Sequence, residues 1–399
     1  MKTVSVIGAG FAGLTVSLRL AQKGFKVHLY EASSNVGGLL GTDITEHGLA
    51  ERAANTFIRN ASSERFFSEL NITPTPVLKF SKKRFIYRER PQRWPLSLIE
   101  TAAFLCKFLP KFFFSRESLK PHPGQTLQAW GHEHLGNPPT EFLLGPAMQG
   151  VYGSDLSQLS ASLILSPLFQ KNRKKYKGLL AAPQGMQEIL DRLESKLKNL
   201  NVQIHTNSRV ALKDLNGLIV IATSAKSAAD LLAEDYPSAS HLLSPINMLS
   251  LTTVTLFFKN PQNKFHGFGC LIPHRYGFKT LGILMNSFIF EGRQKNYNET
   301  WILENLDKTS TDQEILQLIA EERFKVLDSR EGILDYRIHR WPEALPRYDL
   351  NLEKALRELR RFELPSQMFL HGNYLEGIGL SKILERSGIL AEEIARLHG

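Results

Sequence analysis

Six consecutive residues near the amino terminus have the types and spacing to hold a dinucleotide: Gly8-Ala9-Gly10-Phe11-Ala12-Gly13. Such a run is informative only in context. Here a β-branched run, Thr3 to Ile7, precedes it, and a helical pattern with Leu14, Leu18, Leu20 and Ala21 follows. A second strand, Lys26 to Tyr30, then ends at Glu31. In this arrangement Gly8 permits a tight turn, Gly10 lets the backbone approach a diphosphate, and Gly13 lets the helix pack on the strand. The helix amino terminus offers free N–H groups and the positive end of its dipole to phosphate. Glu31 lies 18 residues after Gly13, where it can accept from ribose hydroxyls. NAD and FAD both satisfy this much. A second glycine pair, Gly37-Gly38, follows the acid by six residues, with Thr42 beyond. Close backbone approach there suits a chain turning back along an FAD diphosphate toward the ring, so the spacing favours FAD.

The rest of the chain must position that cradle. Its 399 residues suggest two or three domains and are enough to bury a bulky cofactor. Apolar residues at 42% and charged residues at 22% describe an ordinary soluble protein, not a disordered chain, collagen or coiled coil. No stretch reaches ~18 uninterrupted apolar residues, so a spanning helix is not expected. The net charge of +10 suits nucleic acid, anionic lipid or an anionic substrate without choosing among them. Cys106 and Cys270 match no zinc or Cys-x-x-Cys spacing, so reduced thiols and no metal site are expected. MKTVSVIGAG runs straight into a strand without an apolar leader, which points to the cytoplasm. Three segments are expected to return to the first domain: a glycine turn and helix from Ala182 to about Leu200, strands near Val202–His205 and Leu218–Ala222, and His371–Gly379 leading into a last helix. Residues 246–290 are strand-like and 311–328 helical. Residues 98–116 are dense in Phe and Leu with Lys107, Lys111 and Arg116 interleaved, which fits either an interfacial helix or a buried helical core. The basic run Lys171–Lys177 would add attraction to anionic lipid. No aromatic–basic interleaving of an RNA-binding sheet is present, and no nucleic-acid partner is expected.

These residues resemble the flavin amine-oxidase superfamily, and within it the protoporphyrinogen oxidases, over nearly the whole chain. The superfamily part is GAGFAGL, Glu31, Gly37-Gly38 and Gly372-Asn-Tyr-Leu-Glu-Gly377. The narrower part comprises Glu51-Arg-Ala-Ala-Asn55-Thr-Phe57, Lys83-Arg84-Phe-Ile-Tyr87 with Trp94-Pro-Leu96, and Gly150-Val-Tyr-Gly-Ser-Asp155 with Leu159-Ser-Ala161. It continues with Gly267–Pro273 followed by Lys279–Gly282, and Trp341–Pro346 with Tyr348. The chain departs from the pattern at Ala53-Ala54, where Gly-Pro is usual and a positive φ would be strained, and at 380–388, where an Asp-Cys pair is usual.

The resemblance implies an α/β fold: a discontinuous Rossmann-like FAD-binding domain (1–70, 178–245, 365–399), a mixed-sheet substrate domain (71–95, 246–364) and a helical membrane-facing insertion (96–177). Cofactor contacts are expected from Gly8, Gly10, Phe11, Ala12, Gly13, Glu31, Ala32, Gly37, Gly38, Leu39, Thr42, Val210, Ala222, Gly372, Asn373, Gly377, Ile378 and Gly379. The implied reaction is the six-electron oxidation of protoporphyrinogen IX in haem biosynthesis, as three hydride transfers to flavin N5 with dioxygen as acceptor. Flavin chemistry needs no metal or nucleophile pair, and none is evident in the sequence. Asn55 would orient the reacting carbon, Arg84 would pair with a propionate, and Leu271, Ile272 and Phe290 would wall the macrocycle. His339, Arg340 and Lys279 receive no role. A peripheral position on the inner face of the cell membrane follows, with a ferrochelatase and a second copy of the chain as candidate partners. Alternatives are coproporphyrinogen III as substrate, a flavin amine oxidase or desaturase with Tyr374 as one flavin-facing aromatic, and a non-catalytic porphyrin-binding flavoprotein.

Overall fold

The computed structural model describes residues 2–169, 178–259, 264–304, 306–307, 309–375 and 377–399. The basic run 171–177 and Glu376 lie outside them. Two sheets organise the chain. The first is wholly parallel: β1 (Thr3–Ile7) lies between β2 (Lys26–Tyr30) and β10 (Leu218–Ile221), with β9 (Gln203–His205) beyond β2 and β16 (Met368–Leu370) beyond β10. Side chains alternate across its strands. Val4, Val6, Leu29 and Val220 face α1 (Phe11–Gln22), α3 (Met186–Asn199) and α5 (Leu380–His398). Ile7, Ile219 and Ile221 face the opposite way, into a second cluster that holds Ala225, Ala228, Leu232, Leu243, Leu352 and Tyr374 together with Leu127, Trp130, Leu159 and Ile164 of the helical insertion. The described part of the insertion therefore shares one core with the outer face of this sheet.

The second sheet has seven strands in the order β15-β11-β14-β13-β12-β6-β7. They are β6 (Arg84–Arg88), β7 (Arg90–Gln92), β11 (Met248–Phe258), β12 (Gly269–Leu271), β13 (Thr280–Leu284), β14 (Tyr297–Glu304) and β15 (Ile333–Pro346). All its pairings are antiparallel except β6 with β12, so the sheet is mixed. One face packs on α4 (Asp312–Leu327) through Val254, Leu256, Trp301, Ile315 and Ile319. The fourteen-residue β15 has no counterpart in the sequence expectations. It carries Pro342, which is tolerated because β15 lies at the sheet edge. The expected strand through Phe290 stops at Leu284 and gives way to a 3₁₀ turn, Asn286–Phe288.

A small hairpin, β3 (Thr42–Thr45) with β4 (Gly48–Glu51), joins the two sheets, and β5 (Phe57–Ile58) pairs β8 (Leu179–Leu180) beside it. The residue after β4 is fastened hard. The Arg52 N–H donates to Gly41 O at 2.9 Å, and the Arg52 carbonyl accepts from Thr253 Oγ1 at 2.5 Å and Trp341 Nε1 at 3.0 Å. Trp341 of the Trp-Pro-x-Ala-Leu-Pro motif is thus a clamp on that loop. His339 pairs with Asp43 at 2.8 Å, on the same hairpin.

The insertion also carries α2 (Leu98–Phe114), capped by a reciprocal Ser97–Glu100 box. None of its residues is buried. Thr101, Phe104, Phe108 and Lys111 form its one half-buried stripe, and Lys107 and Lys111 donate back to the His132 and Glu133 carbonyls. Leu98 is 90% exposed and Phe114 88%, with Ile99, Leu105, Leu109, Phe112 and Phe113 also exposed. The alternative of a buried Phe core is therefore excluded for this helix. Among the described residues, no helix is long and apolar enough to cross a membrane.

Gly13 sets the closest approach in the first domain: a Cβ there would lie 1.8 Å from the Gly8 carbonyl oxygen. Gly13→Ala should therefore cost about 3 kcal/mol or more and expel bound flavin. The melting temperature and the 450 nm absorbance of the purified variant check this; a wild-type melt with full flavin content would refute it.

Candidate active site

Of the expected cofactor residues, Gly8, Glu31, Ala222 and Gly372 follow the carboxyl ends of β1, β2, β10 and β16, the edge at which open α/β sheets bind ligands. Gly8 follows β1 with φ +96°, and its Cβ would meet the Ala222 carbonyl at 2.9 Å, so the β1 and β10 ends touch through a glycine. A Cβ on Gly10 would meet nothing, which leaves the space a diphosphate needs. Gly37 bridges to Gly10, its N–H donating to Ala9 O at 2.8 Å, and both Gly37 and Gly38 have positive φ. Glu31 follows β2; its carboxylate accepts from the Ala9 N–H at 2.8 Å and from Ser33 N–H and Oγ at 2.9 and 2.8 Å. That leaves it fixed in place with lone pairs to spare for a ribose. Ala32 is exposed, Leu39 half-buried, and Phe11 and Ala12 buried, with the Phe11 ring against Phe57 and Phe66. Val210 packs with the cluster containing Ile7 and Ile221. Gly372 and Asn373 follow β16 and His371, and Gly377, Ile378 and Gly379 lead into α5.

Three helices here start on glycine. α3 starts after Gly185, and side chains from the hairpin cap it: Met186 N–H donates to Glu51 Oε2 at 3.2 Å and Gln187 N–H to Thr42 Oγ1 at 3.1 Å. α1 after Gly10 and α5 after Gly379 have no side-chain cap. Their amino-terminal N–H groups and dipole ends remain for an anionic or carbonyl-bearing ligand. Thr42 is spent within the protein, since its hydroxyl donates to Glu51 at 2.5 Å while accepting from Gln187. The cradle fits FAD: glycines where backbone must come close, an acid for the ribose, and two open helix ends.

Asn55 and Phe290, far apart in sequence, line one small cavity of about 10 Å³ with Leu49, Glu51, Asn286, Ile289, Arg293 and Gln294. Arg84 is exposed and stacks its guanidinium 4.8 Å from the Phe268 ring, which packs with Phe290. The chain therefore places Arg84 outside, and Asn55 inside, one continuous patch. Leu271 and Ile272 do not share a face. Leu271 packs toward Gly150, where an added Cβ would lie 2.4 Å away. Ile272 turns into the core between the sheet and α4, so the expectation that it walls the same pocket is corrected by strand alternation. Tyr374 is fully buried on the outer face of the first sheet and offers no flavin-facing aromatic. Neither Ala53 nor Ala54 has positive φ, so the feared strain is absent. A second cavity, about 360 Å³, lies between Gln128, His132, Glu141, Gln149 and Asp155 and the loop His274-Arg275; no expected site residue lines it.

Sequence reasoning missed Glu51, Asn286, Arg293 and Gln294 as cavity residues. Glu51 lay inside a matched motif, but no local pattern marks Arg293. Its guanidinium pairs with Glu51 and lies 5.4 Å from the Phe290 ring. Burial pushes the Glu51 carboxyl above its usual range, and the Arg293 charge, Thr42 and Met186 pull it back.

His371 holds α1, α5 and β16 together. Its Nε2 is 2.9 Å from Ser387 Oγ, which is 2.8 Å from Thr15 Oγ1. Burial, with Arg386 adding to it, lowers its pKa from 6.5 to about 3. The imidazole is neutral when folded and takes a proton when unfolded between those values. Stability should therefore fall as pH drops from 6.5 toward 3, by up to about 1.4 kcal/mol per pH unit. A His371→Gln variant should show a flatter acid limb in melting temperature between pH 7 and 4.5; parallel limbs would show that another group is responsible.

The model of the flavin containing amine oxidoreductase family matches residues 11–212, just over half of the chain. Protoporphyrinogen oxidase 2, chloroplastic/mitochondrial, from Arabidopsis thaliana is 24% identical, covering 98% of this chain and 93% of that protein. Coproporphyrinogen III oxidase from Bacillus subtilis (strain 168) is 21% identical, covering 96% of each. The solved structure of a candidate protoporphyrinogen oxidase from Exiguobacterium sp. 255-15 has a TM-score of 0.79 at 15% identity, covering 99% of both chains. This chain belongs to the flavin containing amine oxidoreductase family. It is an FAD-dependent oxidoreductase of α/β fold.

Proposed function

We propose that this oxidoreductase acts on a porphyrinogen, with protoporphyrinogen IX as substrate and protoporphyrin IX as product. The observation that carries the proposal is that Asn55 and Phe290 line one small cavity, with Arg84 on the same aromatic patch at its outer side. FAD bound in the cradle would take a hydride at N5 in each of three two-electron steps and be reoxidised by dioxygen. Over the three steps three hydrides leave meso carbons and three protons are lost, two from nitrogen and one from the remaining meso carbon, so that four C–H and two N–H bonds break in all. Pyrrole nitrogen lone pairs drive the hydride off, so the protein needs no strong base. Asn55 orients the reacting carbon, Phe290 supplies an apolar wall, and Arg84 holds a propionate. The full-length similarity to porphyrinogen oxidases supports this assignment.

An apolar substrate also gives α2 a purpose. Its exposed Leu and Phe side chains, with Trp94, Arg93 and Arg116 exposed beside them, suit the interface of an anionic membrane. Arg88 ties that helix to the substrate sheet through a bidentate pair with Glu100 at 2.7 and 2.9 Å. This pairing, chiefly through the Arg88 hydrogen bonds, holds the Glu100 carboxyl down at about 2. Arg84 and Arg88 share one face of β6.

The test is porphyrin fluorescence and oxygen uptake, recorded together on FAD-loaded protein with chemically reduced protoporphyrinogen IX or coproporphyrinogen III. Faster turnover of the former is expected; rates no higher than protein-free autoxidation on both would refute the assignment. Arg84→Ala should raise KM about tenfold with little change in kcat. Phe113→Asp with Phe114→Asp should abolish sedimentation with anionic vesicles while leaving turnover in detergent intact; undiminished sedimentation would refute the membrane role of α2.

A further inference from the structure

The larger cavity, about 360 Å³, has no part in the chemistry described so far. It lies where the insertion meets the second sheet. The helices Leu127–His134 and Gly145–Tyr152 form one side, and the loop Pro273-His274-Arg275 after β12 forms the other. No residue of the glycine cradle lines it, and neither do Asn55, Arg84 and Phe290. Its size falls within the range of small-molecule sites. Two polar groups reach it without a partner. Gln149 is only 3% exposed, and its side-chain amide makes no hydrogen bond among the described residues. His132 Nε2 is also buried with no partner there. Burying such groups unsatisfied is costly, and a bound molecule would remove that cost.

The charges restrict what that molecule can be. Arg275 is neutralised by its ion pair with Glu141, and His274 pairs with Glu304 at 3.0 Å. Asp155 has no ion pair among the described residues. One of its oxygens accepts from the Ser157 N–H at 2.8 Å and the Ser157 hydroxyl at 2.6 Å. Its charge reaches its surroundings: burial pushes the Glu304 carboxyl above its usual range and Asp155 adds to the rise, against the pull of His274 and Lys279. The cavity thus carries an uncompensated negative charge in a chain of net charge +10. A carboxylate or phosphate would meet that charge in a partly desolvated space, where like charges repel. A single ammonium offsets it and has three N–H donors to offer. A metal ion fits less well. No group of three His, Cys, Asp or Glu side chains able to hold one occurs among the described residues, and an ion would leave the Gln149 amide unsatisfied. Leu156 and Pro273 add apolar wall for a short aliphatic chain.

We propose that this cavity binds a small organic monocation, with its ammonium on the Asp155 carboxylate and a second, neutral polar group on the Gln149 amide. The inference does not rest on the identity of the oxidised substrate. Gly150, one residue beyond Gln149, packs on Leu271, and Pro273 follows Leu271 by two residues. An occupant therefore braces the insertion against β12.

The test uses the full-length, FAD-loaded protein without porphyrinogen, and three probes of one chain length. These are ε-aminocaproamide (ammonium and amide), caproamide (amide alone) and ε-aminocaproate (ammonium and carboxylate). Isothermal titration calorimetry should show saturable binding of the first with a Kd of about 1 mM or tighter. The other two should bind about tenfold more weakly or not at all. The flavin absorbance should not change. Asp155→Asn, which keeps an oxygen for Ser157, should weaken ε-aminocaproamide about tenfold. Gln149→Met should weaken it about threefold and leave the melting temperature at or above that of the wild type, because it removes an unsatisfied buried amide. A lower melting temperature with undiminished binding in Gln149→Met would make the amide structural and overturn the proposal. So would no saturable binding of ε-aminocaproamide, equal binding of caproamide, or full affinity in Asp155→Asn. Flavin bleaching by the amine, undiminished in Asp155→Asn, would put the cation at the flavin and overturn it as well. Because no porphyrinogen is used, an inactive but FAD-loaded wild type would refute the substrate assignment and leave this result standing.

Discussion

The buried carboxylate of Glu51 is the interaction on which the two halves of the molecule depend. One of its oxygens accepts from Thr42 and from the first N–H of the Met186–Asn199 helix, which belongs to the dinucleotide domain. The other pairs with Arg293, which stands over Phe290 in the substrate domain. Gly185 makes the arrangement feasible, because a Cβ there would lie 2.3 Å from the Thr42 hydroxyl oxygen. Without Arg293 the carboxylate would be a buried charge with too few partners, and without the carboxylate the helix start would lose an acceptor. The same atoms therefore serve local capping, domain attachment and the shape of the cavity.

The dinucleotide domain was legible because its chemistry is local. Gly8, Gly10, Gly13 and Glu31 fall within one strand–helix–strand unit, and their spacing is dictated by a turn and a phosphate. The last helix and the Gln203–His205 and Leu218–Ile221 strands were readable for a similar reason, since each follows a clear turn signal. The cavity was legible only in part. Asn55 comes from a motif and Phe290 from the family resemblance, but Arg293 reaches Glu51 across 242 residues, and no periodicity reports such a pairing. Ile272 shows the converse failure. Its motif was recognisable, yet which face it occupied depended on strand register, and a one-residue step reverses the face.

The insertion holds two environments that composition alone did not separate. Residues such as Trp130 and Leu127 join the core on the outer side of the parallel sheet, while Leu98–Phe114 leaves most of its Leu and Phe side chains exposed. The division follows from what each segment can reach. Lys107 and Lys111 bond to carbonyls of the neighbouring helix, which together with Phe104 and Phe108 holds the helix against the body and leaves Leu98, Phe113 and Phe114 exposed. The Glu100–Arg88 pair carries that attachment into the strand bearing Arg84.

The grip on the Arg52 peptide has a consequence for how the two sheets share load. A hydroxyl and an indole from two strands of the second sheet hold its carbonyl, while its N–H is held by Gly41 on the amino-terminal side. A hinge through this point would break all three bonds at once. One peptide thus works as a rivet between the sheets, and a substitution that frees it would loosen both partners together.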